Sequence, residues 1–184
     1  MINLLKKLKN KKIESELEYY YNNIVLLARD KRLYIQGGVP DTIDGRYELI
    51  ILHCHLFVNR LIISGSEEKA FAQKLINYMF RDFDRSLREI GVGDLSVGKK
   101  IKFMVSSYYG RANTYQKALN KNSQITDKAL KNNLYGTINP NQNEVEYMKI
   151  YIKNLIRYLS SLKNHDVLIC FQNNINFFEG LSDE

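Results

Sequence analysis

Residues 44–64 read DGRYELIILHCHLFVNRLIIS, and the two apolar runs within them decide the fold. Leu49–Leu52 and Leu56–Val58 place large apolar side chains on most sides of a helix, whereas a surface helix carries a single apolar stripe. A helix from about Asp44 to Ser64, stopped at Gly65, therefore belongs at the centre of the domain with the other elements packed around it. It is not a membrane span. The stretch Leu49–Ile63 is interrupted by His53, His55, Asn59 and Arg60 and falls well short of the ~20 apolar residues a span requires.

The pattern extends outward in both directions. Ser66 followed by Glu67 and Glu68 predicts an N-cap with acids in the first turn, where free backbone N–H groups and the helix dipole favour them. The helix that follows aligns Ala72, Leu75, Met79, Phe83, Leu87 and Ile90 on one face, and Gly91 and Gly93 end it. Upstream, Gly37-Gly38-Val39-Pro40-Asp41 is a loop. Before it, Ile13, Leu17, Tyr20, Ile24, Leu27 and Ala28 recur at helical steps up to about Arg29. Downstream, a helix over about Val97–Leu119 turns Ile101, Met104, Val105, Tyr108, Ala112, Tyr115 and Leu119 inward. A polar stretch around Asn120–Gln124, a short helix over Ile125–Leu134 and a loop at Gly136–Asn143 come next. A last long helix carries Val145, Met148, Ile152, Leu155, Ile156, Leu159 and Leu162, and Asp166–Phe178 reads as a short helix and an irregular end. No β-alternation persists and no segment repeats. The expectation is all-α: one compact domain of about six helices over residues 13–184, preceded by a basic segment, residues 1–12.

With 184 residues, 45% apolar and 26% charged, the chain can bury a single core and is not compositionally disordered. Cys54 and Cys170 are too few for a disulfide scaffold and are expected to be buried free thiols. The net charge of +7 is uneven: Lys6, Lys7, Lys9, Lys11 and Lys12 precede any acid, so the basic balance belongs largely to the N-terminal segment. A second basic stretch, residues 98–134, holds eight Lys or Arg against Asp127 alone. Neither a signal peptide nor an Arg- and Ser-rich presequence is evident, so the expected location is cytoplasmic, or peripheral on the cytoplasmic face of the inner membrane.

Catalytic chemistry is hard to find. Gly93-Asp94-Leu95-Ser96-Val97-Gly98-Lys99-Lys100 approaches the phosphate-binding pattern G-x-x-x-x-G-K-S/T, but Lys100 replaces the magnesium-binding hydroxyl and a helix precedes it where a strand is needed. His53 and His55 lie two apart, roughly 200° around a helix, and cannot share one metal. Each fits a buried polar anchor, with haem or metal ligation as the alternative. Asp82 and Asp84 are flanked by Arg81, Arg85 and Arg88, which keep carboxylates ionised and unsuited to acid catalysis. The expectation is a non-enzyme with no metal and no cofactor.

Two helix faces stand out instead. Lys74, Asn77, Arg81, Asp84 and Arg88 lie opposite the apolar stripe of their helix, as a solvated ionic face or a protein-docking one. On the next helix the outer face carries Lys99, Lys102, Ser106, Gly110, Asn113 and Lys117. A glycine inside a helix costs about 1 kcal/mol. Gly110 thus predicts either a break or another segment, internal or from a partner, crossing closely. Ile2, Leu4, Leu5 and Leu8 among the first five lysines suit an anionic bilayer, ribosomal RNA or a disordered tail.

Several strings then agree in order and spacing. They are Ala28-Arg29, Gly38-Val39-Pro40-Asp41-Thr42-Ile43-Asp44-Gly45-Arg46, Leu52-His53, Met79-Phe80, Asp84 with Leu87 to Asp94, Tyr109-Gly110-Arg111, and Tyr115. Over Tyr20–Leu119 the chain resembles the ubiquinol–cytochrome c chaperone family. The resemblance implies a helical, bacterial chaperone that binds newly made cytochrome b and assists assembly of the bc1 complex, in a family that acts beside the ribosome. The residues expected at a client or partner surface are Arg46, Arg81, Asp84, Arg85, Arg88, Asp94, Tyr109, Gly110 and Arg111. Lys6, Lys7, Lys9, Lys11 and Lys12 are expected to meet membrane or RNA. The alternative is a ribosome- or RNA-associated adaptor at the site of membrane-protein synthesis.

Overall fold

The computed structural model describes the backbone of residues 2–122, 127–136 and 138–172, and side chains within 11–117, 127–136 and 138–171. Among these residues the chain is helical without strands, as expected. The elements are α1 (Ile2–Ala28), α2 (Lys31–Ile35), α3 (Ile43–Ile62), α4 (Ser66–Glu89), α5 (Asp94–Asn122), α6 (Asp127–Asn133), α7 (Gln142–Ser161) and a 3-10 segment (Asn164–Gln172). The expected polar stretch Asn120–Gln124 and the end of Asp166–Phe178 fall partly outside the described residues.

Every residue of α3 from Leu49 to Val58 is buried, because α1, α4, α7 and the 3-10 segment all pack against it. Its start is set by Thr42, whose hydroxyl accepts the Gly45 N–H at 3.1 Å. Position 45 has no room for a side chain, since a Cβ there would sit 1.9 Å from the Pro40 carbonyl oxygen. His53 is a strut between helices: its Nδ1–H donates to the Leu49 carbonyl at 2.7 Å, and Nε2 accepts from the Tyr151 hydroxyl of α7 at 2.7 Å. Both ring nitrogens are thus committed within the protein. His55 points to the other side, its ring 5.8 Å from that of Tyr115 on α5. Cys54 between them is a buried free thiol, as is Cys170, and burial pushes them up to about 12 and about 11.

α4 starts one residue from the expected place. The backbone is extended at Gly65, not at Ser66, so Gly65 is the N-cap and its carbonyl accepts the Lys69 N–H at 3.0 Å. Ser66 becomes the first helical residue and makes no capping bond, while Glu67 and Glu68 remain in the first turn. The other end follows the glycine rule. Gly91 adopts φ +89°, the Val92 N–H donates to the Leu87 carbonyl at 2.9 Å, and the Gly91 N–H donates to Arg88 at 3.0 Å. This Schellman closure turns the chain directly into α5.

Two differences lie at the N-terminal side. α1 begins at Ile2, ahead of the expected Ile13, so the backbone of the basic segment continues the same helix; Lys and Leu sustain a helix by propensity where no apolar stripe marks it. The short α2 was not expected. Asp30 caps it by accepting the Arg32 N–H at 3.0 Å and holding the Arg32 guanidinium at 2.8 Å, and Leu33 anchors it in the core. At the other end of the chain, Tyr20 of α1 donates to the Val167 carbonyl at 3.0 Å, and its ring meets Phe171 edge-on at 4.9 Å. Phe171 also stacks on Phe57 of α3 at 4.9 Å. Arg60 secures the end of α7, donating to the Leu159 carbonyl at 2.8 Å and the Leu162 carbonyl at 2.5 Å.

Candidate functional site

α5 packs against α4 and α6 and reaches α3 through side chains, Tyr47 to Met104 at 3.2 Å and Glu48 to Arg111, with an open groove on each of its flanks. The first groove, about 580 Å³, runs between α4 and α5. Ile76, Phe80, Ile101, Val105 and Tyr109 form its walls, with Asn77, Arg81 and Asp84 at the rim. Tyr109 is about half exposed and rests edge-on against Tyr108, whose ring meets Phe80. Arg81 is held upright by Glu14 of α1 at 2.7 Å and lies 5.1 Å over the Tyr78 ring. Aromatic walls and a positioned arginine are the residue types that protein interfaces concentrate.

The second groove, about 600 Å³, lies between α3 and α5 and is closed at one end by Leu87, Ile90 and Val92 from the α4–α5 turn. Tyr47, Ile51, Met104 and Phe103 give it apolar walls, and Lys99 and Lys100 stand at its edge. At its inner end Glu48 and Arg111 pair at 2.5 Å with side chains only 13% and 25% exposed. Glu48 Oε2 and Arg111 Nε are buried without a hydrogen-bond partner. Burial pushes the Glu48 carboxyl up to about 7 against the pull of Arg111.

That shift opposes those of the core histidines, which burial pushes down to about 4. The unfolded chain protonates both imidazoles below about 6.5 while the native state does not, so stability falls as pH drops through that range. Native Glu48 takes its proton near 7, before the unfolded carboxyl does near 4.5, so its contribution rises as pH falls. From about pH 7 to about pH 5 the expected net loss is about 2 kcal/mol, growing to about 4 kcal/mol in Glu48→Gln. Urea titrations of both proteins at the two pH values check this. Equal pH dependence in the two would remove Glu48 from the balance.

The nine residues expected at a client or partner surface lie on several faces of the domain. Arg81, Asp84 and Tyr109 share the first groove, whereas Arg111 lies in the second. Arg88 joins Asp84 at 2.6 Å to Asp94, clamping the α4–α5 turn. Arg85 faces the α1 side of α4, bound to Asp82 at 2.5 Å. Arg46 stands apart at the start of α3, paired with Asp41 at 2.6 Å. At Gly110 neither internal expectation holds. α5 runs through it unbroken, and an added Cβ would meet nothing within 4 Å, so no described segment crosses there. Lys11 and Lys12 lie on α1, Lys12 being 3.9 Å from Glu16, while the side chains of Lys6, Lys7 and Lys9 lie outside the described residues. The string Gly93–Lys100 forms the start of α5 after a helical turn, with no strand feeding it. Sequence reading missed the Glu48–Arg111 pair, whose members belong to different helices and carry no local signal.

Among the described residues the domain is all-helical and carries two apolar grooves, each edged by charge. The chain belongs to the ubiquinol-cytochrome C chaperone family, whose model matches residues 36–169. It is 19% identical over 149 residues to the mouse ubiquinol-cytochrome c reductase complex assembly factor 1, covering 81% of this chain and 50% of that protein. The human factor of the same name is 20% identical over the same shares. The chain thus spans about half the length of these curated relatives. The crystal structure of the Cbp3 homolog from Brucella abortus superposes with a TM-score of 0.81 at 31% identity, covering 97% of this chain and 99% of that one.

Proposed function

We propose that this chain is a non-enzymatic assembly chaperone that binds newly made cytochrome b and assists its entry into the bc1 complex, with the α4–α5 groove as the client-facing surface. The observation that carries the reading is the groove itself. Its walls of Phe80, Ile101, Val105 and Tyr109 offer an unassembled hydrophobic segment an apolar seat, and Arg81 and Asp84 supply polar contacts at the rim. Membership of the family supports an assembly role in complex III biogenesis. The work would be done at the cytoplasmic face of the inner membrane.

The test is photo-crosslinking in native membranes with the reactive side chain at Tyr109, and at Arg85 as the probe outside the groove. Cytochrome b is expected to be captured from position 109 and only weakly from position 85. Capture of ribosomal proteins alone, unchanged when cytochrome b synthesis is stopped, would replace this reading with the ribosome-adaptor one.

A further inference from the structure

After Asp94, α5 has no acidic residue through Asn122, yet it carries Lys99, Lys100, Lys102 and Lys117, none of them in an ion pair among the described residues. Asp94 itself is bound to Arg88. On the same helix Leu95 is 92% exposed and Phe103 72% exposed. At 3.6 residues per turn, Leu95, Lys99, Lys102 and Phe103 fall within roughly 100° of one outward face. Ile90 and Ile43, both more than half exposed, border that face where the second groove opens beside Phe103. The face is therefore apolar at its tips and cationic between them, with Asp44 of the adjoining groove as its acidic neighbour.

We infer that this outward face of α5 rests on an anionic lipid surface, with Leu95 and Phe103 entering the acyl boundary and the lysines meeting headgroup phosphates. The combination selects the partner. A phosphate backbone would satisfy the lysines but leave Leu95 in water, and an apolar protein surface would bury Leu95 and Phe103 but leave several lysines unmatched. An anionic bilayer takes both, as it does with interfacial amphipathic helices. The open space over Gly110 keeps the same face flat. The α4–α5 groove lies on the flank of this face, so the inference is independent of which client the groove holds.

The test is flotation of the full chain with vesicles of phosphatidylcholine alone and of phosphatidylcholine mixed with phosphatidylglycerol. The chain is expected to float with the mixed vesicles, and less so as salt is raised. Each lysine removed should lower partitioning about fivefold. Lys99→Gln/Lys102→Gln is therefore expected to lose about 25-fold. Leu95→Ser/Phe103→Ser should also release the protein, with an unchanged helical spectrum and unfolding midpoint, since both side chains lie on the surface. Equal flotation with both vesicle types would overturn the inference. So would wild-type flotation of the two α5 variants while neutralising Lys6 to Lys12 abolishes it, or binding to RNA without binding to vesicles.

Discussion

Phe57→Ala is expected to lower the free energy of unfolding by about 3–5 kcal/mol. The ring is fully buried in α3, 5.8 Å edge-on to Tyr20 of α1 and stacked on Phe171 of the 3-10 segment at 4.9 Å. Its removal takes the shared partner from a cluster that ties the first helix, the central helix and the C-terminal segment together. The lining cannot collapse, because Tyr20 is held by its bond to Val167 and contacts Phe71 at 5.4 Å. Phe57→Leu keeps most of the volume and should cost less than about 1.5 kcal/mol. Urea unfolding followed by circular dichroism measures both. A loss below about 1 kcal/mol for the alanine variant would mean that the C-terminal segment does not depend on this ring.

Arg111→Met should cost about 3–5 kcal/mol well above pH 7, where Glu48 is ionised, because it leaves that buried carboxylate without its counter-ion. The double variant Glu48→Gln/Arg111→Met is expected to recover part of that loss, with a coupling of about 2–3 kcal/mol between the two positions. As pH falls below about 7, Glu48 takes up a proton and the cost of losing Arg111 should shrink. Additive single-variant losses would show that the two groups do not act as a pair.

The features legible in the sequence were those encoded by local period. The run Leu49–Val58 announced a central helix apolar on most sides, and the stripe from Ala72 to Ile90 announced the next helix, buried along that face except at Ile90, which caps the helix and is exposed. Gly91 marked the end of that helix, where the structure has a left-handed residue. The strings shared with the chaperone family pointed to the same group that residues 36–169 match. What escaped had no period to reveal it. α2 has five residues, too few to show a repeat, and only Asp30 marked its start. The first turns of α1 lack an apolar stripe and continue by propensity. The grooves depend on how α5 sits against α3 and α4, a placement that no residue encodes alone. Charge and aromatic content therefore selected Arg46 and Arg85 together with Arg81 and Tyr109, although they face different sides. Gly110 misled for a related reason: a costly residue suggested a neighbour, and none of the described chain provides it.

The way α3 is enclosed also bears on the order in which the protein is made. α1 precedes it and α4 follows at once, but α7 and the Asn164–Gln172 segment, which cover two further sides, are translated only after α5 and α6. Between the end of α3 at Ile62 and the end of α7 at Ser161, a ribosome working at about 5–20 residues per second needs about 5–20 s. Throughout that interval His53 waits for Tyr151 and Phe57 waits for Phe171. The nascent domain thus passes through a state with its most apolar helix half covered, and its completion depends on the arrival of α7 and the Asn164–Gln172 segment.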